Sequence, residues 1–111
     1  MKGGRCFDEK KLSAIQIRRS VPAGWKVKRG IIEIGPLDFS TFPTAIRFVD
    51  RLAGLAEREN HHPEIIVSWK RVTLQLTTHD AGGVTRLDIR MARLINSLLR
   101  QFSGRVRHPN K

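Results

Sequence analysis

The sequence predicts an α+β fold: a four-stranded antiparallel sheet with three helices packed on one face, in the order α-β-β-α-β-β-α. Three observations point there. Residues 41–60 and 85–102 repeat apolar side chains at three- and four-residue spacing, the period of a helix with one buried stripe. Val72, Leu74 and Leu76 alternate with Thr73, Gln75 and Thr77, the period-two sign of a half-buried strand. Breaks bearing Gly or Pro fall between the candidate strands and helices, so the strands pair as two hairpins that can join one sheet.

Residues 8–20 read as the first helix, with Leu12, Ile15 and Ile17 on one side and Pro22 and Gly24 ending it. Residues 25–28 and 31–39 read as strands around an Arg29-Gly30 turn. Pro36 has no N–H for a ladder, so the second strand is interrupted or lies at an edge. Thr41 suits the N-cap of the next helix and Pro43 its first turn. Phe42, Ala45, Ile46, Val49, Leu52, Ala53 and Ala56 make its apolar stripe. This helix should end near Asn60, because Pro63 biases His62 away from helical angles. Residues 64–69 and 71–79 follow as strands, and 80–83 as a turn. Thr85 with Asp88 three residues on is a capping box, with Asp in place of the commoner Glu. Leu87, Met91, Ile95, Leu98 and Phe102 mark the buried face of the last helix. The expected organisation is a flexible N-terminus over 1–7, one domain over 8–102 and a basic flexible tail over 103–111.

At 111 residues, 40% hydrophobic and 28% charged, the chain has the make-up of a soluble globular domain. No apolar run approaches the roughly 20 residues that cross a bilayer, and the first residues lack an apolar signal core. No membrane association and a cytoplasmic location are therefore expected. Cys6 is the only cysteine, which excludes an intrachain disulfide and a cysteine zinc site. The net charge is +11, with basic residues concentrated over 1–30 and 70–111 and a slightly acidic middle. Such a surface is either a solvated exterior or suited to an acidic protein partner. The absence of Tyr and of any Arg-rich run interleaved with aromatics argues against nucleic acid.

Three of the four histidines sit at element boundaries: His61 and His62 after the central helix, His79 at the end of the fourth strand. His108 lies in the tail. Imidazole both gives and takes a proton near neutral pH, so a cluster suits the elimination or addition of water. Glu57, one helical turn before His61, is placed to orient its ring. Trp69 offers a flat surface for a heteroaromatic ring, and the backbone at Thr78, His79 and Asp80 can bond a polar ring edge. Each has a plainer role available: a polar loop for His61 and His62, a strand end for His79, core packing for Trp69, a helix cap for Asp88, a solvated position for Glu57. No His-x3-His or Glu-x-x-His pair on a helix face supports zinc, and Gly82-Gly83 is too short to argue for a phosphate loop.

The run Glu57-Arg58-Glu59-Asn60-His61-His62-Pro63-Glu64 resembles the hallmark of the pterin-4a-carbinolamine dehydratase family. The likeness continues in register through Trp69, through Leu76-Thr77-Thr78-His79-Asp80-Ala81-Gly82-Gly83, and through Thr85, Asp88 and Ala92. Upstream, Gly24-Trp25 and Phe39-Ser40-Thr41-Phe42 with Ala45 and Phe48 also fit. The resemblance implies the same fold and a homodimer or homotetramer. It implies loss of water from 4a-hydroxytetrahydropterin to give quinonoid dihydropterin, a recycling step after aromatic amino-acid hydroxylation. It makes His61 and His79 the acid/base pair and His62 a holder of the pterin substrate, with contacts at Pro63, Thr78, Asp80 and Ala81. Glu57, Trp69 and Asp88 complete the candidate binding set, and no metal or organic cofactor is implied. Some relatives are instead dimerisation cofactors of a transcription factor, and others resemble assembly factors of the carbon-fixing enzyme RuBisCO, so a non-catalytic binding role is the alternative. Gly35-Pro36 and the high positive charge depart from the family pattern.

Overall fold

Alternation in the second and fourth strands sets the plane on which everything else packs. A computed structural model describes residues 10–102 and 106–107. Strands β1 (Lys26–Lys28), β2 (Ile31–Phe39), β3 (Glu64–Ser68) and β4 (Arg71–Leu76) form an antiparallel sheet in the spatial order β1-β2-β4-β3. Ile32, Ile34, Leu37 and Phe39 of β2 and Val72, Leu74 and Leu76 of β4 point to one side and are buried. They share one apolar cluster with helices α1 (Ala14–Ser20), α2 (Phe42–Glu59) and α3 (Arg86–Arg100). Thr73 and Gln75 face the other way. The predicted α+β architecture and element order are those observed.

Each helix start is fixed by a side chain. Ser13 forms a capping box with Gln16, so α1 begins at Ala14 and not at residue 8. Ahead of it the chain runs past the end of the sheet, where Leu12 N–H donates to the Val84 carbonyl. Thr41 caps α2 as expected, accepting from Thr44 N–H. The apolar stripe of α2 is rotated from the expected one: Thr44, Ala45, Phe48, Leu52, Leu55 and Ala56 are buried, while Phe42 and Ile46 are exposed. The helix carries two adjacent apolar stripes, and periodicity does not choose between them. Phe48 decides it, closing an aromatic cluster with Phe39 (ring centroids 5.1 Å apart) and Phe102 (5.6 Å).

Two strands differ from expectation. In β2 the peptide before Pro36 is cis and the register against β4 shifts between Ile34 and Leu37, so the expected interruption is a bulge in a central strand rather than an edge. β4 stops at Leu76 instead of running to His79. The Thr78 carbonyl accepts from the N–H groups of Ala81, Gly82 and Gly83, and Thr78 N–H donates to Gly83, which curls 79–81 into a 3₁₀ turn. The segments expected to be flexible, 1–7 and 103–111, lie outside the described residues except for Val106–Arg107. These form β5, a short strand paired with Asp38 and Phe39 of β2, where the sequence suggested only a tail. Among the described residues no helix is long and apolar enough to cross a membrane.

Candidate active site

The end of α2 sets the position of the first histidine. Asn60 takes a left-handed conformation (φ 53°), which Asn tolerates better than most residues. Its N–H donates to Glu57 O, and His61 N–H donates back to Ala56 O at 3.1 Å. This paired closure of a helix end reverses the chain and turns His61 off the helix axis toward the start of α3.

There it meets a carboxylate supplied by the second capping box. Thr85 caps α3, and Asp88 Oδ2 accepts the Thr85 N–H at 2.9 Å. The same oxygen accepts the Thr78 hydroxyl at 2.8 Å. Thr78 has only one hydroxyl proton, so in its 2.8 Å contact with Thr85 the Thr85 hydroxyl donates and Thr78 accepts. Asp88 Oδ1 remains, and His61 Nε2 lies 2.6 Å from it. Asp88 is fully buried and His61 nearly so. The carboxylate therefore collects three donors, and His61 holds its proton on Nε2. In the neutral ring Nδ1 is left as a bare acceptor.

The hairpin brings the other histidine to this corner. Glu64 faces Gln75 and Ser68 faces Arg71 in the β3–β4 register. Continuing that register three residues past Glu64 sets His61 across from Thr78, the residue before His79. His79 opens the 3₁₀ turn (His79–Ala81) and is exposed. Among the described residues its imidazole has no hydrogen-bond partner. Asp88 thus holds His61 directly and, through the Thr78 hydroxyl, the root of the loop that presents His79.

His62 goes the other way. Its Nε2 lies 2.6 Å from Glu57 Oε2, and both side chains are largely exposed. Glu57 thus partners His62 and not His61, because the left-handed Asn60 breaks the helical spacing on which the sequence reading relied. Pro63 and Ala81 are half-buried at the same corner and Asp80 is exposed in the 3₁₀ turn.

Three of the expected substrate contacts have other partners in the structure. Asp88 has no exposed surface and both of its oxygens are engaged, so it positions His61 instead of touching a ligand. Thr78 is likewise committed through its hydroxyl. Trp69 occupies the tight turn between β3 and β4, 67% exposed with φ 57°. β3 separates it from Pro63 by about 16 Å at roughly 3.3 Å per residue, too far to stack on a ring held at His61 of the same chain. Instead the Lys70 ammonium sits 5.0 Å from its ring centroid, a cation–π pair. Sequence reading missed the part played by Thr85. The available signal was the capping box, whose carboxylate has a second oxygen to offer. Among the described residues no group of three or more His, Cys, Asp or Glu side chains is arranged to hold a metal ion.

Fold and corner together define a small α+β domain with a buried carboxylate that holds one imidazole beside the loop bearing a second. Residues 10–98 match the sequence profile of the family described as Pterin 4 alpha carbinolamine dehydratase, and the chain belongs to that family. A protein of Sulfurisphaera tokodaii, named as a candidate pterin-4-alpha-carbinolamine dehydratase, is 40% identical over 92 residues, covering 81% of this chain and 98% of the relative. A protein of the same name from Aquifex aeolicus is 38% identical over 97 residues, covering 84% and 95%. The crystal structure of a transcriptional coactivator/pterin dehydratase from Brucella melitensis superposes with a TM-score of 0.72 at 34% identity, over 80% of this chain and 98% of that one.

Proposed function

We propose that the protein dehydrates 4a-hydroxytetrahydropterin to quinonoid dihydropterin by histidine acid/base catalysis, as a tetrahydropterin recycling step in the cytoplasm. The observation that carries this reading is the hydrogen-bond chain Thr85–Thr78–Asp88–His61, which fixes one imidazole beside the loop that bears a second. In the reaction the C4a–O bond breaks, the hydroxyl leaves as water after taking a proton, and N5 gives up its proton as the C4a=N5 bond forms. His61, with its proton held on Nε2 by Asp88, serves as the base through Nδ1. His79, exposed in the 3₁₀ turn, carries the proton to the departing hydroxyl. His62, steadied by Glu57, holds the pterin, with Pro63, Asp80 and Ala81 around it. No metal or organic cofactor enters the reaction.

The test is direct. Replacing His61 or His79 by Ala should lower kcat for dehydration by about 10²–10⁴-fold, the usual contribution of a positioned acid or base, with the circular dichroism spectrum unchanged. Failure of the wild-type protein to accelerate breakdown of 4a-hydroxytetrahydropterin would overturn the reading.

A second reading, a binding role on the same fold, is favoured by the Brucella protein's double name. The two roles are compatible. Under either we infer self-association, supported by apolar side chains left exposed on the edge strand β3 (Ile66, Val67) and on α2 (Phe42, Ile46).

A further inference from the structure

We propose that the groove between α3 and the segment leading through α1 docks an acidic, amphipathic helix of another protein. This goes beyond the dehydratase reading and does not depend on it. Lys10, Lys11, Arg19, Arg86, Arg90 and Arg93 line the groove, which encloses about 1140 Å³, and no acidic residue is among its described lining. Among the described residues, Arg90 alone of these six cations has an ion-pair partner, Glu59 at 3.0 Å.

Parts of this arrangement work against folding. Arg86, Arg90 and Arg93 lie on one face of α3 at four- and three-residue spacing, where like charges repel. Arg86 also opens the helix, the end at which a positive charge opposes the helix dipole. An anionic partner offsets both costs. The floor of the groove narrows the choice of anion. It is aliphatic: Leu12, Leu87 and Leu94 are half-buried there. Leu87 and Leu94, two turns apart, run beside the arginine row. A basic rim along an apolar floor is complementary to a helix with leucine-type anchors at i, i+3/i+4 and i+7 and acidic flanks. A nucleic acid would use the cations and leave the floor unmatched. The exposed aromatics it would stack on, Trp69 and Phe42, are both outside the groove.

The test uses the full chain and a fluorescein-labelled helix of about 18 residues with leucines at i, i+3, i+4 and i+7 and glutamates beside them. A scrambled peptide of equal composition and a single-stranded oligonucleotide serve as competing probes. By fluorescence anisotropy at physiological salt the amphipathic peptide should bind at least tenfold tighter than either. The Arg86→Glu/Arg93→Glu variant should weaken it by about tenfold or more while its melting temperature is maintained, and Leu94→Gln should weaken it with no change in the salt dependence. Equal binding of the scrambled peptide, tighter binding of the oligonucleotide, or indifference to both variants would each overturn the proposal.

Discussion

At the scale of single residues the molecule depends on where a few protons are held. Asp88 occupies its burial because Thr85, Thr78 and His61 all donate to it, and a carboxylate can accept from all three where an amide cannot. Asp88→Asn should therefore misalign His61, lowering kcat by about 10²–10³-fold and altering the pH profile of kcat/KM. It should cost about 1–3 kcal/mol of stability, because a buried donor is left unpaired. A loss of activity with an unaltered pH profile would reduce Asp88 to a structural cap. Which carboxylate serves which histidine was not legible in the sequence: Glu57 is spaced for His61 on a continuous helix, but the left-handed Asn60 hands it to His62. Glu33 makes a second case. The Lys28 ammonium, at 2.8 Å from one oxygen, and Gln75, at 2.8 Å from the other, hold its carboxyl below the ordinary value of 4.5 against the opposing effect of burial. Its folded pKa is depressed, so the unfolded chain takes up the proton first. The stabilisation is present above about pH 4.5 and is lost as pH falls through the lower folded value. Urea titrations of wild type and Glu33→Gln should differ most at neutral pH and converge in acid; a constant difference would exclude the linkage.

At the scale of elements most of the fold was legible, because helix and strand periods are local. The Thr85–Asp88 capping box, the Thr41 cap, the bounds of β2 and the alternation of β4 follow from residues within a few positions of one another. What was not legible depends on distant partners. The choice of stripe on α2 rests on Phe39 and Phe102, and the end of β4 at Leu76 rests on a loop closed by Gly83. β5 exists only because β2 offers Asp38 and Phe39 an empty side. Gly35 shows the same dependence within one strand. Its φ is 123°, and a Cβ there would lie 2.7 Å from the Val72 carbonyl oxygen and 2.9 Å from Thr73 Cα. Those are backbone atoms of the neighbouring strand, which a side-chain rotation does not clear. Gly35→Ala should thus cost about 1–3 kcal/mol for the backbone conformation alone and more for the contact. It should lower the urea midpoint with an unchanged slope, since the surface exposed on unfolding is the same. A midpoint within error of wild type would show that β2 and β4 can part locally.

At the scale of the whole molecule the chain separates its surfaces by chemistry. Cations gather along α3 and the segment before α1, the histidine corner lies where α2, β3 and the β4–α3 loop meet, and apolar side chains are left on β3 and one stripe of α2. β3 is an edge strand, so its outer N–H and C=O groups have no ladder partner among the described residues, and it carries no lysine or proline to blunt it. Ile66 and Val67 on it are 45% and 40% exposed. A monomer would leave both the polar edge and the apolar side chains in water. A second copy aligned antiparallel on β3 would cover them, and such a two-fold pairing is self-complementary. Phe42 and Ile46, 47% and 41% exposed on α2, lie on a different element and offer a separate contact, which allows a dimer to pair again into a tetramer. Light scattering coupled to gel filtration should therefore give a multiple of the 12.7 kDa chain mass. Ile66→Lys should shift the protein toward monomer, and Ile46→Lys should convert a tetramer to a dimer without going further. Because each subunit holds its own Thr85–Thr78–Asp88–His61 chain, the Ile46→Lys protein should keep its dehydratase activity. A wild-type protein that runs as a monomer at high concentration would exclude the pairing.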